Sequence, residues 1–168
     1  MLIDTGSSNT WVGSNTSYVK TSTSVNTGQP VSASYGAGYF DGMTYNLKDI
    51  IIVMFMLMLG TEFTDTLTLG EGIVITKQSI GVASDSSQFS SVDGILGIGP
   101  VDLTLNTLLK EQTTTIPTVT DNLYHQGTIS ENIVSISFEP ATSPVVTNGE
   151  LTFGGTDSTK HTGSIAYT

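Results

Sequence analysis

A chain of 168 residues with 38% hydrophobic side chains is long enough to close one domain around a core and too short for two comfortable ones. Its 15 acidic side chains face five basic ones, all lysines, giving a formal net charge of −10, which makes nucleic acid and anionic membrane surfaces poor partners. The absence of cysteine removes disulfides, thiolate metal sites and a thiol nucleophile.

Met1-Leu2-Ile3-Asp4-Thr5-Gly6 reads as the end of a buried strand entering a tight turn. It has neither the positive n-region nor the apolar core and small-residue cleavage site of a secretory signal, so a missing N-terminus is expected ahead of Met1. Ser14 to Ser34 is rich in Ser, Thr, Asn and Gly and reads as a solvated stretch with short edge strands, carrying one glycosylation sequon, Asn15-Thr16-Ser17. Pro30 to Tyr35 alternates and meets Gly36-Ala37-Gly38, which predicts a β-hairpin. Ile50 to Leu59 is an uninterrupted apolar run overlapping the segment Met43 to Met58, which holds every methionine except Met1.

Thr61 to Thr68 alternates as a half-buried strand, with Asp65 breaking its apolar face. Ile73-Val74-Ile75 and Ser79 to Ala83 predict further strands. The leucines at 103, 105, 108 and 109 predict a short helix between Leu103 and Gln112, and Val119, Leu123 and Tyr124 a second between Thr118 and Gln126, stopped by Gly127. Strands resume at Ile133 to Phe138, Gly149 to Phe153 and Ser164 to Tyr167. The fold class is mainly β with two short helices. His125 and His161 stand alone and are expected to be exposed, no His-Glu-x-x-His occurs, and neither glycine cluster has dinucleotide-loop spacing. No metal or other cofactor is expected.

Asp4-Thr5-Gly6-Ser7-Ser8 is the segment with chemistry in it: a carboxylate at a strand end, on a turn whose N–H and hydroxyl donors can hold it ionised. Asp4-Thr5-Gly6-Ser7-Ser8-Asn9-Thr10-Trp11-Val12 resembles the first active-site signature of the pepsin-like aspartic endopeptidases, peptidase A1. Tyr35-Gly36-Ala37-Gly38 resembles that family's flap tip, with Ala37 in place of the usual hydroxyl residue. Asp93-Gly94-Ile95-Leu96-Gly97-Ile98-Gly99-Pro100 resembles the segment that packs beside the active-site loop. Thr120 to Gly127 and Gly149 to Asp157 continue the likeness in the family's order. The cysteine-free, Ser/Thr-rich character is similar to the fungal polyporopepsin type.

The resemblance implies one lobe of a bilobal acid-protease β-barrel fold, incomplete, acting on protein or peptide substrates in an extracellular or vacuolar setting and lacking its C-terminal lobe. It implies Asp4 as one of two catalytic aspartates, Thr5, Gly6 and Ser7 as support for the loop, and the Ser7 hydroxyl as partner of Asp4. Tyr35, Gly36, Ala37 and Gly38 would form the flap, Trp11 would hydrogen-bond Tyr35, and Leu2, Trp11, Phe89, Val92 and Ile95 would line a substrate pocket. No second Asp-Thr-Gly or Asp-Ser-Gly occurs in the chain, so it is expected to be inactive alone. A single-lobe protease active as a homodimer and a non-catalytic binding protein on the same scaffold are the alternatives.

Met43 to Gly60 interrupts the second flap strand, and deleting it joins Tyr39-Phe40-Asp41-Gly42 to Thr61-Glu62-Phe63 as one strand. The segment reads as a translated short intron or, failing that, a lineage-specific insertion, with nothing on the flap expected to bury its apolar run.

Overall fold

The computed structural model describes residues 1–37, 54–87, 89, 92–140 and 148–166. Gly38 to Val53, and Tyr167 at the end of the last expected strand, lie outside the described residues.

Strands β1 (Leu2–Asp4), β2 (Thr10–Val12), β3 (Val25–Ala37), β4 (Met54–Gly70), β5 (Ile73–Ser87) and β6 (Gly94–Gly97) form one sheet in the order β1-β6-β2-β5-β4-β3. The β3-β4-β5 part is antiparallel, an arrangement that a tight turn can join. One such turn lies between β4 and β5, where Gly72 adopts φ 75°. At the other end β1 runs parallel to β6, and β2 runs antiparallel to β6 and parallel to β5. Strands β7 (Val134–Phe138) and β8 (Gly149–Phe153) pair as a separate antiparallel ribbon.

Two apolar clusters hold the sheet. One gathers Trp11, Val31, Met58, Phe89, Ile95 and Leu108; the other gathers Ile75, Leu96, Ile98, Val119 and Leu123. Helix α1 (Val119–His125) presses Val119 and Leu123 into the second cluster and is started by a reciprocal capping box: Thr118 accepts from the Asp121 N–H while the Asp121 carboxylate accepts from Thr118. Gln78, buried on β5, accepts from Asn122 at 3.0 Å and so ties the helix to the sheet.

Several expectations need correction. The leucines at 103, 105, 108 and 109 do not make an α-helix; the region starts as a single 3₁₀ turn at Val101–Thr104. Thr104 is fully buried, and its hydroxyl donates to Val101 O and accepts from Ile116 N, fixing an irregular loop in which Asn106 sits at φ 66°. Only Leu108 of the four leucines is buried. The two strands expected at Ile73–Ile75 and Ser79–Ala83 are one continuous strand. Residues 164–166 form no strand: Gly163, at φ 81°, turns the chain, and Ile165 lines a small cavity beside Ser135 and Ile136. Leu2 and Ile3 are 47% and 41% exposed, so β1 is not a buried strand; among the described residues its one sheet neighbour is β6. The apolar run is covered in part, because Met58 is fully buried in the first cluster.

Candidate functional site

Asp4 ends β1, and its loop through Asn9 lies folded over β6. The Asp4 carbonyl accepts from Ile98 N at 3.0 Å, Ser7 O from Gly99 N at 2.8 Å and Asn9 O from Gly97 N at 3.2 Å, while the Ser8 hydroxyl donates to Pro100 O at 2.6 Å. This approach explains the glycines of the Gly97-Ile98-Gly99 segment. A Cβ on Gly97 would stand 2.5 Å from Ser8 C and 2.7 Å from Asn9 N, and one on Gly99 would stand 2.9 Å from both Ser7 O and Thr5 O. No side chain fits between loop and strand.

Within the loop, the Asp4 carboxylate accepts from Gly6 N at 2.9 Å. Asp4 is half-buried, and Thr5 and Gly6 are exposed. Ser7 Oγ is buried and makes no hydrogen bond to Asp4; its influence is felt instead at the Tyr35 hydroxyl. Thr5 faces a groove of about 920 Å³, open beside Ile3, Leu96, Ile136, Phe138 and Phe153.

Tyr35 approaches from β3. Its hydroxyl accepts from Trp11 Nε1 at 2.8 Å, and Phe89 packs edge-on against both rings, with centroids 4.8 Å from Trp11 and 5.5 Å from Tyr35. Burial pushes the Tyr35 phenol up to about 12, outweighing the hydrogen bonding that favours its ionised form, and the charge of Asp4 adds to the rise. It is therefore a neutral hydroxyl at acid and neutral pH. Trp11, Phe89 and Ile95 are buried in one cluster and Val92 packs on it, whereas Leu2, the ladder partner of Ile95, is half exposed and outside it. Gly36 and Ala37 are ladder residues of β3 opposite Phe55 and Met54, and Gly38 lies outside the described residues.

Sequence reasoning missed the ties that steady this site from behind. Asn15 Nδ2 donates to Val92 O at 2.8 Å, Asp93 Oδ1 accepts from the N–H groups of Asn15 and Thr16, and Gly13 N and Ser14 N donate to Asp93 O. Donation from Thr16 first, and from Asn15 N, holds the half-buried Asp93 carboxyl below the ordinary carboxylate range. Asn9 Nδ2 donates to the buried Thr107 hydroxyl, anchoring the far end of the Asp4 loop. Asp65, the exception in the alternation of β4, is the most heavily bonded carboxylate described. Burial alone would raise its pKa, but donation from Thr23, Tyr18 at 2.5 Å, Ser24 at 2.7 Å and Thr21 at 2.8 Å overrides this and holds it well below the usual range. The inward carboxylate on an otherwise apolar face was the one sequence signal for it.

Among the described residues no cluster of His, Cys, Asp or Glu could hold a metal ion, and no helix is long and apolar enough to cross a membrane. His125 and His161 are both exposed.

Comparison with known proteins bears on this geometry. The family model for eukaryotic aspartyl protease matches residues 1–168. Polyporopepsin of Irpex lacteus is 58% identical over 168 residues, covering 100% of this chain and 44% of polyporopepsin. Cathepsin D of Rattus norvegicus is 32% identical over 183 residues, covering 99% of this chain and 40% of that protein. The crystal structure of the aspartic proteinase from Irpex lacteus superposes with a TM-score of 0.82 at 56% identity, covering 96% of this chain and 42% of that one. The chain spans less than half the length of each of these proteins.

Proposed function

This chain belongs to the eukaryotic aspartyl protease family, and on that premise we propose that it supplies one half of an aspartic endopeptidase site, with Asp4 as one of two catalytic carboxylates. The observation that carries the reading is the Asp4 loop itself, pinned to Gly97 and Gly99 at distances that admit no side chain. A catalytic carboxylate must be held to within a fraction of an ångström, and a loop locked by backbone bonds on both sides meets that demand.

The chemistry needs two carboxylates about 3 Å apart that share one proton, because both cannot ionise at that separation. The ionised one takes a proton from water as it attacks the peptide carbonyl, and the protonated one donates to the carbonyl oxygen. Asp4 fills one of these roles, and the other carboxylate comes from outside this chain's single Asp-Thr-Gly. The groove beside Thr5 suits packing of the further length that the relatives possess. Tyr35, Gly36, Ala37 and Gly38 would cover an extended peptide, and Trp11, Phe89, Val92 and Ile95, with Leu2 at their edge, would receive the side chain ahead of the scissile bond. A secreted or vacuolar setting belongs to the same proposal, as does a fungal source.

The test joins this chain to the part of polyporopepsin that it does not span and assays peptide cleavage at acid pH. Pepstatin-sensitive turnover that Asp4→Asn abolishes is the expected result. Turnover that survives Asp4→Asn overturns the assignment, and turnover by this chain alone overturns the need for a second carboxylate from elsewhere.

A further inference from the structure

The β3–β4 ladder runs without interruption from Pro30↔Thr61 through Val31↔Gly60, Ser32↔Leu59, Ala33↔Met58 and Ser34↔Leu57. Two of these positions are demanding. At position 60 a Cβ would stand 2.1 Å from Val82 O and 2.8 Å from Val82 C, so only glycine fits. At position 58 the side chain is fully enclosed by the cluster that includes Trp11, Val31, Phe89 and Ile95, so it must be apolar and large. Positions 57 and 59 point the other way, and Leu59 is 37% exposed. The ladder therefore requires the pattern outward, large apolar, outward, glycine, immediately before Thr61.

The sequence contains that pattern twice. Leu57-Met58-Leu59-Gly60 satisfies it, and so does Tyr39-Phe40-Asp41-Gly42, which would precede Thr61 directly if Met43 to Gly60 were absent. Counting back from Thr61 in such a chain, Gly42 falls on the position against Val82, and Phe40 falls on the enclosed position of Met58.

We propose that this strand is specified twice: Leu57-Met58-Leu59-Gly60 fills it in the present chain, and Tyr39-Phe40-Asp41-Gly42 fills the same ladder positions in a chain lacking Met43 to Gly60. The segment Met43–Gly60 is then a cassette whose gain or loss leaves the sheet intact. The physical reason is where each arrangement puts the extra length. With Leu57–Gly60 in the ladder the chain continues into Thr61 unbroken, and all the added residues fall at the hairpin end, where lengthening a connection costs little. With Tyr39–Gly42 in the ladder the full chain would extrude ten consecutive apolar residues from the middle of β4. The proposal stands independently of the proteolytic reading, because it concerns the sheet and not the Asp4 loop.

Hydrogen exchange read by mass spectrometry tests it directly. In the full chain the amides of 57–60 are expected to be protected about 100-fold more than those of 39–42, and deleting Met43–Gly60 is expected to transfer that protection to 39–42. Protection of 39–42 in the full chain, equal protection of both segments, or a deletion chain that fails to fold overturns the proposal. A second readout uses the glycines. In the full chain Gly60→Ala is expected to lower Tm by at least about 5 °C, or to prevent folding, while Gly42→Ala moves it by less than about 1 °C. In the deletion chain Gly42→Ala should produce the large fall. A large fall from Gly42→Ala in the full chain, or none from Gly60→Ala, overturns it equally.

Discussion

At the scale of single residues, the behaviour of two hydroxyl-to-partner arrangements can be forecast from burial and donor count. Trp11 is fully enclosed, and the Tyr35 hydroxyl is the acceptor of its Nε1–H. Tyr35→Phe leaves that donor buried and unpaired, which costs about 2 kcal/mol and lowers Tm by roughly 4–8 °C in a chain of this size. Differential scanning fluorimetry measures the shift, and an unchanged Tm would mean that the bond contributes nothing net. Asp65 is the other case. Four hydroxyl residues converge on its carboxylate, and its folded-state pKa lies below the unfolded value of about 3.9. Because the unfolded state binds the proton more readily, the stabilisation is complete above about pH 5 and is lost as pH falls below about 4 toward the folded-state value. Asp65→Asn is therefore expected to be less stable than the parent chain by roughly 2 kcal/mol at pH 6, with a gap that narrows at pH 3. Urea unfolding of both chains at the two pH values tests this, and a gap that widens in acid would contradict it.

At the scale of elements, α1 depends on its first turn. The helix is short, so the reciprocal Thr118–Asp121 box satisfies a large share of its unpaired N–H groups. Thr118→Ala should cost about 1 kcal/mol, read as a lower urea midpoint with an unchanged m-value. The Asp4 loop and β6 form a second unit, and Gly97→Ala, which drives a Cβ to 2.5 Å from Ser8 C, should cost about 2–3 kcal/mol. Elements of this kind were unequally legible in the sequence. The alternation at Thr61–Thr68 located part of β4, because one face of that strand is half-buried and period 2 leaves a record there. Asp4 and the glycine-bearing segment around Gly97 were legible because the close backbone contact between them dictates residue type. Helix spacing misled at Leu103–Leu109, where tertiary bonding of Thr104 overrode a pattern of leucines. The Asp65 clamp was hidden because its donors, at 18 to 24, lie more than 40 residues away in the chain. The strand at Leu57–Gly60 was hidden for a different reason: an unbroken apolar run carries no period, and only the ladder shows which of its side chains turns inward.

For the molecule as a whole, charge sets the response to solvent. With 15 carboxylates and five lysines the formal net charge is −10, and the chain's isoelectric point is about 4.2. Among the described residues, ion pairs are confined to Lys160, which reaches Glu139 at 3.6 Å and Glu150 at 3.3 Å on the exposed β7–β8 ribbon. Pairs of that kind contribute little. Salt therefore has few attractions to weaken and many repulsions to screen, the Debye length being about 10 Å at 0.1 M. Raising NaCl from about 20 mM to about 0.5 M at pH 7 is expected to raise Tm by roughly 2–4 °C. Near pH 4.2 the net charge is close to zero, and the same addition should leave Tm nearly unchanged. A matrix of fluorimetric melts over pH and salt separates this from the Asp65 effect, which acts only below about pH 4 and is insensitive to salt because the carboxylate is buried. A Tm that falls with salt at pH 7 would show that attractive pairs outweigh the excess of negative charge.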